Sequence, residues 1–219
     1  ALSVDSSRED LLLQLLALAK RLEAWSELAG HLESIAEQSQ DQAVSSSLFV
    51  QLGLIQRDEL GDLERARHFL ELALVRDESN LAAFSHLDTL FSNLAEPEAL
   101  TSLLLKRADV ESGPQQSTQH RLRAARVFED ELHDPSNSIE VYQQVLIEQE
   151  DCADAIDALE RLYRITERWQ DYLALLETKI EALDDDADSL PLWFQMAETY
   201  ERELNDLPGA VSAYESILE

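Results

Sequence analysis

Apolar residues recur three and four positions apart along nearly the whole chain. Leu12, Leu15, Leu16 and Ala19 form one stripe, Leu28, Leu32 and Ile35 a second, and Phe49, Leu52, Gly53 and Ile55 a third. Ala66, Phe69, Leu70 and Ala73 follow, then Phe84, Leu87, Leu90 and Phe91, then Leu100, Leu103, Leu104 and Ala108. The second half continues with Leu122, Ala125 and Phe128, with Ile139, Tyr142 and Val145, and with Ala155, Leu159, Leu162 and Tyr163. Tyr172, Leu175 and Leu176 come next, then Met196, Ala197 and Tyr200. This period is that of a helix with one buried face, and no stretch shows the alternation of a half-buried strand. Ser6 or Ser7 is expected to cap a first helix starting near Glu9, and Ser45, Ser46 and Ser47 offer caps to the third. Pro97, Pro135, Pro191 and Pro208 are placed to open helices, because a fixed φ and a missing N–H suit the first turn. Polar breaks at Glu37–Gln42, Gly61-Asp62, Asp77–Asn80, Ser112-Gly113-Pro114 and Asp184–Asp188 complete the division. The pattern predicts twelve helices in six hairpins.

The hairpins alternate between two kinds. Asp58–Leu74 returns as Asp130–Leu146 and again as Arg202–Leu218. Leu60, Leu132 and Leu204 keep an interval of 72, as do Asp62, Asp134 and Asp206, and the small residues Ala66, Ser138 and Ala210. A second set superposes at the same interval: Leu15, Leu87 and Leu159; Leu32, Leu104 and Leu176; Trp25, Pro97 and Trp169. Long-turn hairpins start near Ala43, Ser117 and Ser189, and short-turn hairpins near Arg8, Leu81 and Ala153. Self-similarity at a constant period marks a repeat architecture, in which each unit buries its apolar face on its neighbours.

The long-turn hairpins carry a family pattern. The last reads Trp193-x-x-Met196-Ala197-x-x-Tyr200, then Ala210-x-x-x-Tyr214. The one before reads Ala124-Ala125-x-x-Phe128, then Ser138-x-x-x-Tyr142, and the earliest Phe49-x-x-Leu52-Gly53, then Ala66-x-x-x-Leu70. This resembles the tetratricopeptide repeat, a helix-turn-helix of 34 residues. The second helix sits one residue late, Glu78 and Glu150 stand where the family closes with proline, and Asp88 and Glu160 replace its small residue in the short-turn hairpins. The resemblance implies a right-handed, all-α solenoid of six antiparallel hairpins, a single array over residues 1–219. It also implies that the first helix of each hairpin lines a concave surface suited to a peptide or partner protein. A related family of helical hairpins is the alternative label.

Composition narrows the partners. With 17 basic against 45 acidic residues, a formal charge of −28, the surface repels phosphate backbones and anionic lipid. Nucleic acid and membrane insertion are therefore not expected, and no apolar run approaches the roughly 18 residues of a membrane-spanning helix. Cys152 is the only cysteine, so there is no disulfide framework. No signal peptide is visible, which points to the cytoplasm. The chain ends within a repeated pattern, so we expect a segment of a longer array, with an apolar face near Tyr214 and Leu218 open to end-to-end pairing with a second copy.

Chemistry-bearing motifs are few. His31, His68, His86, His120 and His133 make no metal-ligand spacing, and there is no phosphate loop and no nucleophile elbow. Asp184, Asp186 and Asp188 alternate as in a calcium loop, without its glycine and distal glutamate. Neither catalysis nor a cofactor or metal is expected. Trp25, Trp169 and Trp193 are expected to pack at hairpin positions.

The distribution of cations is more informative. Lys20, Arg21, Arg57, Arg121, Arg123, Arg126, Arg161, Arg164, Arg168 and Arg202 are expected on first helices, ten of the 17 basic residues. Arg123 and Arg126 are one turn apart, as are Arg161 and Arg164, so each pair shares a face. We expect Arg57, His86, Arg123, Arg126, Arg161 and Arg164 to line the concave face and hold a partner, an acidic segment being the best match to the guanidinium fork. The competing expectation is ordinary surface pairing with Glu129, Asp130, Glu160, Glu167 and Glu198, which implies no ligand. The expected function is a protein-interaction scaffold, with a structural spacer or a regulatory domain of a larger protein as alternatives.

Overall fold

The computed structural model describes residues 2–183 and 186–218, with the side chains of 2–9 and 186–188 left aside. Among the described residues there are twelve α-helices and no strand. They are α1 (Leu2–Leu22), α2 (Trp25–Gln38), α3 (Gln42–Asp58), α4 (Leu63–Arg76), α5 (Leu81–Leu94), α6 (Pro97–Val110), α7 (Pro114–Asp130), α8 (Pro135–Glu148), α9 (Ala153–Ile165), α10 (Trp169–Glu181), α11 (Asp186–Arg202) and α12 (Leu207–Ser216). Consecutive helices pack together as tetratricopeptide-like hairpins. The chain divides into two compact units, Ala1–Ser117 and Thr118–Glu219.

The 72-residue interval is written into the turns. In the long-turn hairpins the N–H groups of Asp62, Asp134 and Asp206 donate to the carbonyls of Gln56, Phe128 and Tyr200, each at 2.8 Å. The same aspartates then cap α4, α8 and α12, accepting from the N–H groups of Arg65, Asn137 and Gly209 at 3.0, 3.1 and 3.2 Å. Each cap satisfies one of the unpaired donors of a helix start. In the short-turn hairpins Ala24, Glu96 and Arg168 donate to Ala19, Phe91 and Tyr163 at 3.0, 3.0 and 2.8 Å. Left-handed backbone recurs with the same regularity, at Glu23, Ala95 and Glu167 in the short turns and at Gly61, His133 and Asn205 in the long ones. Only Gly61 takes this conformation without steric cost.

Several helix starts differ from expectation. The helix α1 begins at Leu2 rather than near Glu9, and the side chains of Ser6 and Ser7 lie outside the described residues. The cap of α3 is Asp41, which accepts from Val44 N–H at 3.2 Å. Ser45 and Ser46 lie buried inside α3 instead, and their hydroxyls donate to Ala36 O at 2.7 Å and Ala73 O at 2.8 Å. The first of these bonds recurs 72 residues on, where Ser117 Oγ donates to Ala108 O at 2.9 Å. These serines satisfy carbonyls that the end of the preceding helix leaves unpaired. Pro191 does not open α11: the helix begins at Asp186, a turn earlier, and the proline lies inside it.

The core lies between the helices of successive hairpins. Leu32, Leu52, Leu70, Leu104, Ala125, Val145, Leu159, Leu176 and Ala197 are all buried. Gly53 marks the tightest crossing, since a Cβ there would meet Leu70 Cγ at 2.7 Å and Ala66 O at 3.2 Å. Leu15, Ile35 and Leu94 belong to the expected stripes but are exposed. Trp25, Trp169 and Trp193 are half-buried, and the Trp169 indole meets the edge of Tyr172 at a centroid distance of 6.4 Å.

Candidate functional site

The expected site residues all lie on first helices, and the structure gathers them into one cluster in each unit. In the first unit Arg57 ends α3. Its guanidinium holds Asp58 at 2.7 and 3.0 Å and reaches His86 Nδ1 of α5 at 3.5 Å. The hydrogen bond to Arg57 keeps the Asp58 carboxyl below the usual aspartate range. Burial, and then the Arg57 charge, push His86 below its ordinary value.

In the second unit α7 and α9 exchange charges in both directions. Arg126 of α7 donates to Asp154 of α9 at 2.7 Å, and Arg161 of α9 donates with both terminal nitrogens to Glu129 of α7. The two pairs differ in exposure. Arg126 and Asp154 are 57% and 60% exposed, whereas Glu129 is only 19% exposed. Both guanidinium groups bear on Tyr142 of α8, whose phenol is pushed up first by burial and then by Glu129. Arg123 is exposed on α7, three residues before Arg126. Arg164 turns to α10, where its guanidinium lies 5.8 Å from the Tyr172 ring centroid.

The expected carboxylate partners are sorted by the fold. Glu129 takes Arg161, Glu198 takes Arg202, and Glu160 takes Lys179 at 2.7 Å. Arg168 is not on a first helix; it precedes α10 and pairs with Asp171 at 2.6 Å. Sequence reasoning missed Asp58, Asp154 and Tyr142. Opposite charges at separations of 28 and 32 residues, as in Arg126–Asp154 and Glu129–Arg161, were the available signal for first-helix pairing.

Among the described residues no cluster of histidine, cysteine and carboxylates is arranged to hold a metal ion. The Asp184, Asp186 and Asp188 loop lies outside the described residues. No helix among them is long and apolar enough to cross a membrane.

No family model matches the chain, and no curated protein does. Solved tetratricopeptide-repeat structures resemble it at low identity. YrrB, described as a tetratricopeptide protein with an unusual peptide-binding site, is 14% identical with a TM-score of 0.41, over 87% of this chain and 92% of its own. A tetratricopeptide-repeat protein of Parabacteroides merdae is 15% identical with a TM-score of 0.42, over 95% and 78%. The pilF protein of Pseudomonas aeruginosa is 14% identical with a TM-score of 0.39, over 93% and 87%. At these scores the likeness carries no argument, and the description of the chain as tetratricopeptide-like rests on its own repeated hairpins.

Proposed function

We propose that this chain is a non-enzymatic, cytoplasmic protein-interaction scaffold, a single repeat array that receives a peptide or partner protein on its first helices. The observation that carries the reading is the Arg126–Asp154 pair. It joins two consecutive first helices, and both members are more than half exposed. An exposed ion pair contributes at most about 1 kcal/mol. A partner's carboxylate can therefore replace Asp154 on Arg126 at little cost, and Arg161, held by Glu129 beside it, keeps a second guanidinium in reach. Acidic segments and terminal carboxylates match this arrangement, because the guanidinium offers two parallel donors.

A specific observation favours a second reading, that of a structural spacer. Arg57, Arg126 and Arg161 all hold carboxylates of the chain itself. The two readings part in a pull-down from the source lysate with the wild type and with Arg126→Glu/Arg161→Glu, helicity being checked by circular dichroism. Under the scaffold reading the wild type retains a partner that the folded variant loses. A partner retained equally by both overturns the first-helix site, and no partner from either leaves the spacer.

A further inference from the structure

The second helices of the first unit build a different surface. The helices α4, α5 and α6 enclose a groove of about 740 Å³, within the size range of ligand pockets. Phe84, Leu87 and Phe91 line it from one face of α5, and Val75 of α4 and Leu103 of α6 flank them. Val75 is 76% exposed at its edge. An apolar side chain in this position stays in water unless something covers it.

Arg107 lies in the same lining and is 7% exposed. Its Nη1 donates to Ser79 O at 3.3 Å, its Nη2 pairs with Glu111 at 2.7 Å, and the guanidinium stands 5.7 Å from the Phe84 ring centroid. Its Nε has no hydrogen-bond partner. A buried charged donor without an acceptor is costly, and an oxygen brought in by a ligand relieves that cost. Lys106, also in the lining, is exposed and adds a second positive charge at this end. At the other end Arg67 is already engaged by Glu71 at 2.9 Å and Glu96 at 2.8 Å.

We propose that this groove receives an amphipathic helix of a partner protein. Its apolar side chains cover Phe84, Leu87, Phe91 and Val75, and one aspartate or glutamate reaches Arg107 Nε and Lys106. A helix laid between the helices α4 and α6 presents side chains at three- and four-residue spacing, which is how such grooves are read. The required acid follows from charge complementarity, since the Arg107 end offers an unpaired donor and a free-standing cation to an otherwise apolar surface. Glu78 on the rim calls for a basic residue elsewhere on the same helix.

The second unit supplies an internal control. At positions 72 residues on, Gln143 donates to the Tyr163 hydroxyl at 2.8 Å and Lys179 holds Glu160 at 2.7 Å. Those bonds tie α8 to α9 and α9 to α10, so the corresponding donors are taken. Ile147 there matches Val75 and is 81% exposed.

The test is selection of a displayed random peptide library, of roughly 15 residues or four helical turns, on the whole chain. Recovered peptides are then titrated by fluorescence anisotropy against the wild type, Val75→Asp, Lys106→Glu and Ile147→Asp. All three positions are exposed, so these variants keep the fold. The expected peptides carry apolar residues at helical spacing with an acid among them. They bind Val75→Asp and Lys106→Glu about tenfold or more weakly, a loss large enough to mark a central contact, and bind Ile147→Asp like the wild type. Reversal of Arg126 and Arg161 leaves this binding intact, so the outcome is separate from that of the first-helix site. Failure to recover a binder, equal binding by all variants, or loss only with Ile147→Asp overturns the proposal. So does self-association of the chain that Val75→Asp abolishes, which assigns the groove to a second copy.

Discussion

Residues 63–110 and 135–182 are the same three helices written twice, and they differ in a consistent way. What repeats is buried or structural: Leu104 and Leu176, Leu87 and Leu159, Ala73 and Val145, and the capping aspartates Asp62 and Asp134. What changes is polar and near the surface. Arg107 gives way to Lys179, Phe91 to Tyr163, Glu71 to Gln143, and Asn80, which caps α5 through Ala83 N–H at 3.0 Å, to Cys152, which makes no cap bond. The first unit thereby keeps an open groove with an unpartnered Arg107 Nε, while the second bridges its helices with Gln143–Tyr163 and Lys179–Glu160. The framework is carried by positions that touch many neighbours, and recognition is free to vary at positions that touch few.

The comparison is broken most severely at the shared framework. Leu104 and Leu176 are both fully buried. Changing either to alanine is expected to cost about 2–5 kcal/mol in chemical denaturation. A markedly smaller loss at one of them contradicts equivalent roles.

Gln56 sharpens the comparison from the other side. It stands where Phe128 and Tyr200 stand in the later repeats, and its buried Nε2 has no partner. Replacing it with methionine, of similar shape, is expected to raise stability by about 1 kcal/mol, because an unsatisfied buried donor is removed. A loss of stability indicates that the amide is used. The left-handed turn residues give a smaller gain. Ala95→Gly and His133→Gly are each expected to stabilise by about 0.5–1 kcal/mol in the same assay, since glycine adopts this backbone freely. Asn205→Gly gains less, because asparagine tolerates the conformation.

The smallest effect concerns pH. His86 titrates below its ordinary value of 6.5, chiefly through burial and then through Arg57. The folded chain binds this proton less readily than the unfolded chain does. Its contribution is complete above the ordinary value and is lost as pH falls through the folded value. Denaturation midpoints measured between about pH 7 and pH 5 are expected to fall less steeply in His86→Gln than in the wild type. An unchanged slope contradicts the burial of that ring.

Much of the fold was legible because the repeat states it three times. The aspartate caps, the prolines at the starts of α6, α8 and α12, and the apolar stripes follow from spacing alone. Ser45 was misread because a serine near a helix start is a normal cap, whereas its actual acceptor is a carbonyl on the preceding helix. The left-handed turns at Glu23, Ala95 and Glu167 were hidden because no glycine marks them. Pro191 was taken as a helix start although one more turn of α11 precedes it. The candidate site was legible as residues on first helices but not as pairs. Whether Arg126 meets Asp154 depends on the packing of two hairpins, which periodicity does not report.

The most direct test of the first-helix site is amide hydrogen exchange on the chain alone and in complex with the partner that it captures. The account predicts slowed exchange in α7 and α9, around Arg126 and Arg161. Slowing confined to the second helices, with α7 and α9 unchanged, would contradict it.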